Sequence, residues 1–499
     1  MALEHAARWW AEPSYRLPDL DGPCGMAVVA EPGQALEAWY YDTTDRRLLS
    51  VGVTLCLRAG EGTGRWTLRL PAAGRLLARR EIDFAGDADR PPEAARLAVR
   101  VLLRGQRLRR RWRIRTVRTL YRLVAAPSGA FLADLCDDRV RASGPGLALR
   151  QFRELELRLG PAAGAALLRR VGRALEAAGA RRADPGPGLA RALAGDAPAT
   201  GASAAAPGAR SAASCLAEAV AAATRRLVAS DPAIRLDLDP EAVHEARVAV
   251  RQLRSQLKTF GALLDPAWRA EVRAGLLWLA AALGRVRDLD VLSLWLEEKG
   301  PLLAAADHPR LARLNGALAA QRALALSRLR HALDSARYRR LVARLAAAAD
   351  GLPSRSDREP DGRDSDLARL LGRPWRRLRK TVKRLAAPAT VAELHRVRIL
   401  AKHARYAFEA AIPGAGRPAG RLAAALARLQ DDLGEVQDAA WAEARLRRTA
   451  LTEPATRVVV GTLVALRRAD AAAARKGWPE AWRRARRAAR RLRAAGRLD

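Results

Sequence analysis

The stretch Val243-His244-Glu245-Ala246-Arg247-Val248-Ala249-Val250-Arg251-Gln252-Leu253-Arg254-Ser255-Gln256-Leu257-Lys258 predicts a helix with one cationic face. Steps of three and four residues separate its cationic and imidazole side chains, so the helical period places them on one side, while valines and leucines lie on another. Charges this close repel one another, and an extended anion bound along the face would relieve that repulsion. The residues of the face are His244, Arg247, Arg251, Arg254 and Lys258.

The same pattern returns in the second half of the chain, at an offset of 151 residues (395 − 244). Further along, Leu283-Gly284-Arg285-Val286-Arg287-Asp288 is matched by Leu433-Gly434-Glu435-Val436-Gln437-Asp438, at an offset of 150 residues (434 − 284). Two motifs repeated at nearly one offset indicate an internal duplication. The repeated face consists of His395, Arg398, Lys402 and Arg405.

These paired motifs resemble the CHAD family of α-helical domains, in which each of two repeats carries an H-x-x-R-x-x-x-[RK]-x-x-R helix and an LG-x-x-[RQ]-D segment. The resemblance covers residues 210–495. It implies a duplicated helical bundle that binds inorganic polyphosphate along a basic channel or groove, and it does not imply catalysis. The expected ligands are the residues of both faces and Arg287. Second-rank candidates, which a solvated basic face explains equally well, are Arg376, Arg379, Lys380 and Lys383.

The repeated acidic residues Asp288 and Asp438 are expected to orient arginine side chains, because a carboxylate beside a polyanion site is costly unless it is paired. Metal coordination by Asp288 and Asp290, on a predicted loop, is the alternative. For His244 and His395 we expect hydrogen bonds to phosphate, with the charged ring favoured when the anion is bound. A structural role at a helix start and a catalytic base remain alternatives. Metal binding ranks lowest, because no cysteine or carboxylate stands at clear ligand spacing.

Composition supports a polyanionic partner. The chain has 499 residues, with 89 Lys+Arg against 53 Asp+Glu, which gives a net charge of +36. Part of the arginine excess is also explained by a GC-rich genome, so the position of the charge is more informative than its sum. The four cysteines form no disulfide or zinc pattern, and no segment reads as a membrane span or signal peptide. We therefore expect a cytoplasmic protein without a membrane partner.

Residues 1–180 are predicted to be β-rich with a helical end over Pro161–Gly179. Alternating residues in Thr54–Arg58 and Arg65–Leu70, separated by a glycine-rich turn, predict a hairpin. Further alternating stretches favour an antiparallel barrel rather than a parallel sheet. They cover residues 112–123, 130–140 and 152–159.

This half resembles the CYTH family of triphosphate tunnel enzymes in Tyr40–Leu48, Gly52–Leu55 and Trp66–Pro71. The resemblance implies an eight-stranded antiparallel tunnel whose basic interior holds a triphosphate and whose carboxylates bind a divalent metal for hydrolysis or cyclisation. The tunnel contacts it implies are Arg58, Arg69, Arg80, Arg113 and Arg115.

The metal site that this resemblance implies is incomplete. Where the family has E-x-E-x-K, the chain has Glu4-His5-Ala6-Ala7-Arg8, so one carboxylate is missing, although Glu154-Leu155-Glu156 keeps the late E-x-E. Magnesium prefers several oxygen ligands in octahedral geometry, so we expect Mg²⁺ to be needed only if the tunnel retains activity. The weak metal candidates are Glu4, Asp134, Asp138, Glu154 and Glu156. For Asp134 and Asp138, solvated strand acids are an equally good explanation.

We therefore predict an α+β multidomain protein: a CYTH-like β-tunnel domain over 1–180, an Ala/Gly/Pro/Ser-rich linker over 181–212 and an all-α CHAD bundle over 213–499. Repeat one is placed at 213–386 and repeat two at 387–499. The predicted function is polyphosphate binding, with recruitment to polyphosphate granules. One alternative is a metal-dependent triphosphate or polyphosphate hydrolase acting through the tunnel. A second is non-specific binding of nucleic acid.

Several helix ends in the second half are also predicted. Pro240 begins the first motif helix, and a second helix runs from Pro266 until Gly284 breaks it, with Leu276, Leu277 and Leu279 on its apolar face. Further predictions are helices over 308–350 and 366–386, a loop over 354–365, a turn over 413–420 and a helix over 421–433.

Overall fold

The structure, a computed structural model, describes residues 6–21, 26–59, 64–70, 80–88, 90–126, 128–145, 147–161, 163–183, 211–353, 364–386 and 388–498. The chain divides into two compact units, Met1–Ala202 and Ser203–Asp499. Several predictions fall outside the described residues. They concern Glu4, the side chain of Arg80, the glycine-rich turn at 60–63, most of the linker (184–210) and most of the loop at 354–365.

The first unit is an antiparallel sheet, as predicted. Its order is β10-β1-β9-β8-β7-β3-β4-β5-β6, with β2 also paired to β7. In the part of the chain that the structure describes, no pairing joins β6 to β10, so the sheet is open and has ten strands rather than the eight of a closed tunnel. The strands are β1 Ala6–Ala11, β2 Met26–Ala30, β3 Gln34–Asp42, β4 Thr54–Ala59, β5 Arg65–Leu70, β6 Arg80–Phe84, β7 Arg109–Ala125, β8 Phe131–Gly144, β9 Leu147–Leu159 and β10 Arg181–Arg182.

Alternation along the strands separates an apolar from a polar face. In β9, Leu155 and Leu157 are fully buried, whereas Glu154 and Glu156 lie on the opposite face. The predicted hairpin is confirmed, because β4 pairs with β5 in the register Thr54↔Arg69. Three helices accompany the sheet: α1 Glu93–Ala98, α2 Arg100–Leu103 and α3 Ala165–Ala177.

Helix α3 covers the apolar face of the sheet. Its buried residues Leu167, Val171 and Leu175 belong to the same core cluster as Trp9 of β1. The indole of Trp9 is fully buried and donates a 2.8 Å hydrogen bond to the Glu176 carboxylate. The helical end predicted for this unit is therefore confirmed. The opposite face of the sheet carries the charged residues together with a smaller buried cluster that includes Trp112 and Val140.

The second unit is all helical over its described residues, as predicted. None of these helices combines the length and the apolarity needed to cross a membrane. Buried leucines of the longest helices pack around Trp295, so this tryptophan contributes to the core. The helices are α4 Ala212–Leu236, α5 Pro240–Thr259, α6 Pro266–Lys299, α7 His308–Asp334, α8 Ala336–Asp350, α9 Asp364–Lys383, α10 Val391–Ala410, α11 Ile412–Thr452 and α12 Arg457–Ala494.

Local sequence fixes where the two motif helices, α5 and α10, begin. The Asp239 carboxylate accepts a 2.7 Å hydrogen bond from the backbone of Glu241, and Pro240 occupies the first helical position. At the start of α10, Thr390 and Glu393 form a capping box with reciprocal side-chain and backbone hydrogen bonds. The predicted start of the first motif helix at Pro240 is confirmed.

The predicted ends of the next helices are wrong. Helix α6 continues through Gly284 to Lys299, and α11 continues through Gly434 to Thr452. A glycine costs a helix interior only about 1 kcal/mol, and packing along a long helix overcomes that cost. The predicted turn at 413–420 is reduced to a kink at Gly416, where φ is 69°. Leu277, predicted on the apolar face of α6, is 43% exposed.

Candidate functional site

The two motif helices lie against each other. The Gln252 amide of α5 donates a 3.2 Å hydrogen bond to Glu409 of α10, and the Ser255 hydroxyl lies 3.3 Å from Nδ1 of His403. Residue numbers rise along one helix as they fall along the other, so the pair is antiparallel. The fold therefore joins two cationic faces that are 151 residues apart in the sequence (395 − 244).

Each repeat holds one arginine by a carboxylate. Arg247 donates a 3.0 Å hydrogen bond from Nη1 to Oδ1 of Asp288, and Arg398 makes the equivalent 3.3 Å bond to Asp438. Burial raises the pKa of Asp288, and Arg247 opposes that change. The charge of Asp438 also raises the pKa of Asp288. The two equivalent acidic residues of the repeats therefore lie in the same region.

Each repeat also makes room for that arginine with a glycine. A Cβ atom at Gly284 would lie 2.9 Å from Nη1 of Arg247, and one at Gly434 would lie 3.1 Å from Nη2 of Arg398. The carboxylate that binds the guanidinium stands four residues later on the same helix face. In the repeated Leu-Gly-x-x-x-Asp pattern, the glycine therefore leaves a groove for one arginine, and the aspartate binds its guanidinium.

Four cations from the two helices form what we call the central cluster: Arg247, Arg251, Arg398 and Lys402. Burial, and then the charges of Arg398 and Arg251, lower the pKa of Lys402 from 10.5 to about 7. Burial and the neighbouring arginines likewise lower the pKa of Arg251. Its Nε is buried and has no hydrogen-bond acceptor among the described residues. The cluster thus holds more positive charge than its own carboxylates neutralise.

The histidines that begin the two faces are partly buried. Burial, and then the charges of Arg287 and Arg251, lower the pKa of His244 to about 4, so its ring is neutral at pH 7. In the second repeat, the buried Nδ1 of His395 has no hydrogen-bond partner in the part of the chain that is described. The ring of His244 therefore lies close to Arg251 and Arg247 of the central cluster.

Two glutamates beside His244 were missed as metal-ligand candidates by the sequence reasoning. Ligand atoms of Glu241, His244 and Glu245 all lie within 4.8 Å of one another. However, Glu245 lies 3.5 Å from the guanidinium of Arg226, and the charge of Arg287 acts on both His244 and Glu241. This cationic surrounding opposes a divalent metal ion.

Asp288 and Asp290 do not form a joint site. Both lie on α6 rather than on a loop, and residues two apart on a helix point in different directions. Asp290 is buried and accepts a 2.6 Å hydrogen bond from Arg322, which also binds Asp237. Asp290 therefore anchors α7 to α6, whereas Asp288 orients Arg247.

The remaining residues of the two faces have different surroundings. Arg405 is bound to Glu409 at 2.7 Å. Arg254 and Lys258 instead share their surroundings with Arg273 of α6 and Arg377 of α9. Neither of these two arginines was among the sequence candidates. The other α9 cations, Arg379, which is partly buried, and the exposed Arg376, Lys380 and Lys383, lie on the same helix.

A signal for Arg377 was present in the sequence. Arg225-Arg226-Leu227 of α4 recurs as Arg376-Arg377-Leu378 of α9, at the same offset of 151 residues (377 − 226). Helix α9 is therefore the counterpart of α4 and packs on α10 as α4 packs on α5. The boundary between the repeats accordingly lies before α9 rather than at 386–387.

In the first unit, the four described arginines proposed for the tunnel share two glutamates, which offset half of their charge. Arg58 and Arg69 share Glu81, at guanidinium-to-carboxylate distances of 3.1 and 2.7 Å. Glu37 accepts a hydrogen bond from Arg113 and lies 3.8 Å from the guanidinium of Arg115.

Three of the four described carboxylates proposed as metal ligands are bound by arginines or lie close to one. The register of β8 with β9 puts Asp134, Asp138, Glu154 and Glu156 on one face of the sheet. Both oxygens of Asp138 accept 2.7 Å hydrogen bonds from the guanidinium of Arg118. Asp134 lies 3.5 Å from the guanidinium of Arg122.

Glu156 is bound by two arginines. Arg8 donates to it at 2.9 Å and Arg158 at 3.0 Å, and although burial opposes them, these bonds lower its pKa. Ala6, where the family has a carboxylate, pairs with Arg158 in the sheet. Magnesium requires several free oxygen ligands, so these residues do not fit a magnesium site.

Comparison with known proteins places these features in a family. The CHAD domain profile matches residues 218–447. An uncharacterized protein of Mycobacterium tuberculosis (strain H37Rv), Rv2226, is 31% identical over 422 residues, which are 78% of this chain and 78% of that protein. PptA from Streptomyces chartreusis is 26% identical and covers 55% of this chain and 100% of its own, with a TM-score of 0.44. The CHAD domain from the plant Ricinus communis is 25% identical and covers 54% of this chain and 89% of its own, with a TM-score of 0.45.

Proposed function

Because this chain belongs to the CHAD family, we propose that its helical unit binds inorganic polyphosphate at the central cluster. One observation carries the proposal: two antiparallel helices bring an ammonium group and three guanidinium groups together, and burial, followed by the charges of Arg398 and Arg251, lowers the pKa of Lys402 to about 7. Such crowding is unfavourable in the free protein. A polyanion placed among the four groups reverses the sign of the interaction.

Polyphosphate suits this arrangement because it repeats negative charge along a chain and presents no base edges. Guanidinium groups bind two phosphate oxygens with a planar fork, and an ammonium group binds as a point charge. The anchors at Asp288 and Asp438 hold Arg247 and Arg398 in place before the ligand arrives. Little side-chain entropy is then lost on binding.

The pKa of Lys402 gives the size of the effect. A change from 10.5 to about 7 corresponds to roughly 5 kcal/mol of unfavourable free energy for the charged amine. Binding of an anion removes much of that cost, because the new negative charges lie next to the amine. The same reasoning applies to His244, whose ring gains a proton more easily beside phosphate.

We propose that the protein is a binding module rather than a hydrolase. In the first unit the candidate carboxylates Asp134, Asp138 and Glu156 are held by arginines, so these three described residues do not form an assembled metal site for hydrolysis. Binding without turnover suits recruitment to polyphosphate granules in the cytoplasm.

The test is a titration of long-chain polyphosphate at physiological salt with competitor DNA present. The variants are Arg251→Ala/Lys402→Ala and a control, Arg313→Ala/Arg328→Ala, which removes two exposed charges of α7. We expect the first pair to lose roughly a hundredfold or more in affinity, since each lost charged hydrogen bond costs about 1.5–3 kcal/mol. The control should bind as the wild type does.

Two results would contradict the proposal. If both double variants weaken binding equally, affinity depends on overall charge rather than on the central cluster. If DNA displaces polyphosphate at matched phosphate concentration, the protein is a non-specific binder of polyanions.

A further inference from the structure

The two repeats differ in charge on one side of the central cluster. Lys258, the last cation of the α5 face, corresponds to Glu409 in α10 at the offset of 151 residues (409 − 258). Asp431 and Asp432 of α11 correspond to Ala281 and Ala282 of α6 at the offset of 150 residues (431 − 281). The second repeat therefore has three carboxylates where the first has a lysine and two alanines.

Three cations of the first repeat meet an arginine and a histidine of the second in what we call the distal cluster: Arg254, Lys258, Arg273, Arg377 and His403. The contact between Ser255 and His403 fixes the imidazole beside α5 at 3.3 Å. Lys258, Arg254 and Arg377 all act on that ring, and every charge acting on Lys258 is an arginine. In the described part of the chain, no carboxylate forms an ion pair with the four cations of the cluster.

The duplication defines the counterpart of this cluster residue by residue. Arg405 replaces Arg254 and is bound by Glu409 at 2.7 Å, and Gln252, in place of His403, donates to the same carboxylate at 3.2 Å. The charge of Asp431 also acts on Arg405. The arginine equivalent to Arg377 is Arg226, and it lies 3.5 Å from Glu245. Ala423 takes the place of Arg273.

From this difference we propose that a polyphosphate chain bound in the central cluster continues over the distal cluster and not over its counterpart. The bound polymer then leaves the site over the distal cluster only. This inference rests on the proposed function. It assigns Arg273, Arg377 and His403 to the binding site and removes Arg405 from it.

The physical reason is a difference in the free energy of the two paths. Phosphates that pass over the distal cluster meet unpaired cations that repel one another, so binding relieves repulsion. Phosphates that pass over the counterpart must displace Glu409 from Arg405 and approach Asp431. Like charges in a partly buried site repel strongly, so the second path is disfavoured.

The test compares two double variants at equivalent positions. Arg254→Ala/Lys258→Ala removes two unpaired cations, whereas Arg405→Ala/Glu409→Ala removes one ion pair. We expect the first to weaken long-chain polyphosphate binding roughly a hundredfold, by the loss of two charged contacts, and the second to change it less than about twofold. Glu409→Lys/Asp431→Ala should strengthen binding, because it gives the counterpart the charges of the distal cluster. Circular dichroism and thermal melting confirm that each variant folds.

The length of the polyphosphate provides an independent readout. Tripolyphosphate, which fills only the central cluster, should bind the Arg254→Ala/Lys258→Ala variant about as well as it binds the wild type. Equal losses from the two double variants, or a loss that is independent of polymer length, would overturn the directional path. That outcome leaves the proposed function intact as long as Arg251→Ala/Lys402→Ala still abolishes binding. If that variant binds normally, polyphosphate binding at the central cluster itself is wrong.

Discussion

The guanidinium of Arg247 occupies the space that a side chain at Gly284 would need, with Nη1 only 2.9 Å from the position of a Cβ atom. The second repeat shows the same relationship between Arg398 and Gly434, at 3.1 Å. Both glycines stand inside long helices, where glycine is unfavourable by about 1 kcal/mol relative to alanine. The proposed binding site thus explains two residues that helix propensity does not.

Gly284→Ala is expected to weaken polyphosphate binding. The new methyl group displaces the tip of Arg247, so the gain in helix propensity of about 1 kcal/mol is offset by the loss of the Arg247–Asp288 hydrogen bond. The moved guanidinium loses its hydrogen bond to Asp288, and we expect a loss of roughly tenfold in affinity. Titration calorimetry measures the affinity, and thermal melting measures the stability.

The matched control is Gly316→Ala on α7, where no atom lies within 4 Å of the added methyl group. It should raise the stability by about 1 kcal/mol and leave the affinity unchanged. A Gly284→Ala variant that binds as tightly as the Gly316→Ala variant would contradict the role of the groove.

Polyphosphate binding should take up protons. With a pKa of about 7, Lys402 is largely neutral at pH 8 in the free protein, and a neighbouring anion restores its charge. Affinity should therefore fall as pH rises from 6 to 9. Titration calorimetry at pH 8 in buffers of different ionisation enthalpy measures the protons bound. Lys402→Arg, which stays charged across this range, should remove most of the uptake.

Lys402→Met should stabilise the ligand-free protein. The pKa of Lys402 is lower in the folded than in the unfolded state, so its charge disfavours folding. The penalty is complete below pH 7 and shrinks as pH rises from 7 towards 10.5, because the unfolded state alone binds the proton there. The melting temperature of the variant should exceed that of the wild type at pH 6 and approach it at pH 9. A variant less stable at pH 6 would show that the amine is compensated in the free protein.

The first unit should not hydrolyse tripolyphosphate with Mg²⁺. Glu156 is bound by Arg8 and Arg158, and Asp138 by Arg118, so the carboxylates are not available as metal ligands. Phosphate release by the full chain with Mg²⁺ should equal that of Glu156→Gln. Metal-dependent release that Glu156→Gln abolishes would establish the hydrolase alternative instead.

Much of the architecture was predictable because it depends on local periodicity. Alternation along Arg65–Leu70 identified a strand, and the three- and four-residue spacing from His244 to Lys258 identified a cationic helix. The shared offset of 151 residues (395 − 244) identified the duplication. Helix ends at Gly284 and Leu433 were predicted wrongly, because glycine propensity is a weak local effect that tertiary packing overrides.

The sequence by itself determined the cationic faces, the duplication and the antiparallel strands, since these follow from residue spacing. Only the tertiary structure decided which charges remain unpaired. It bound Arg405 to Glu409 and Glu156 to Arg8, and it brought Arg377 to Lys258. Electrostatic free energy depends on distance and burial between residues far apart in the chain, and residue spacing does not contain that information.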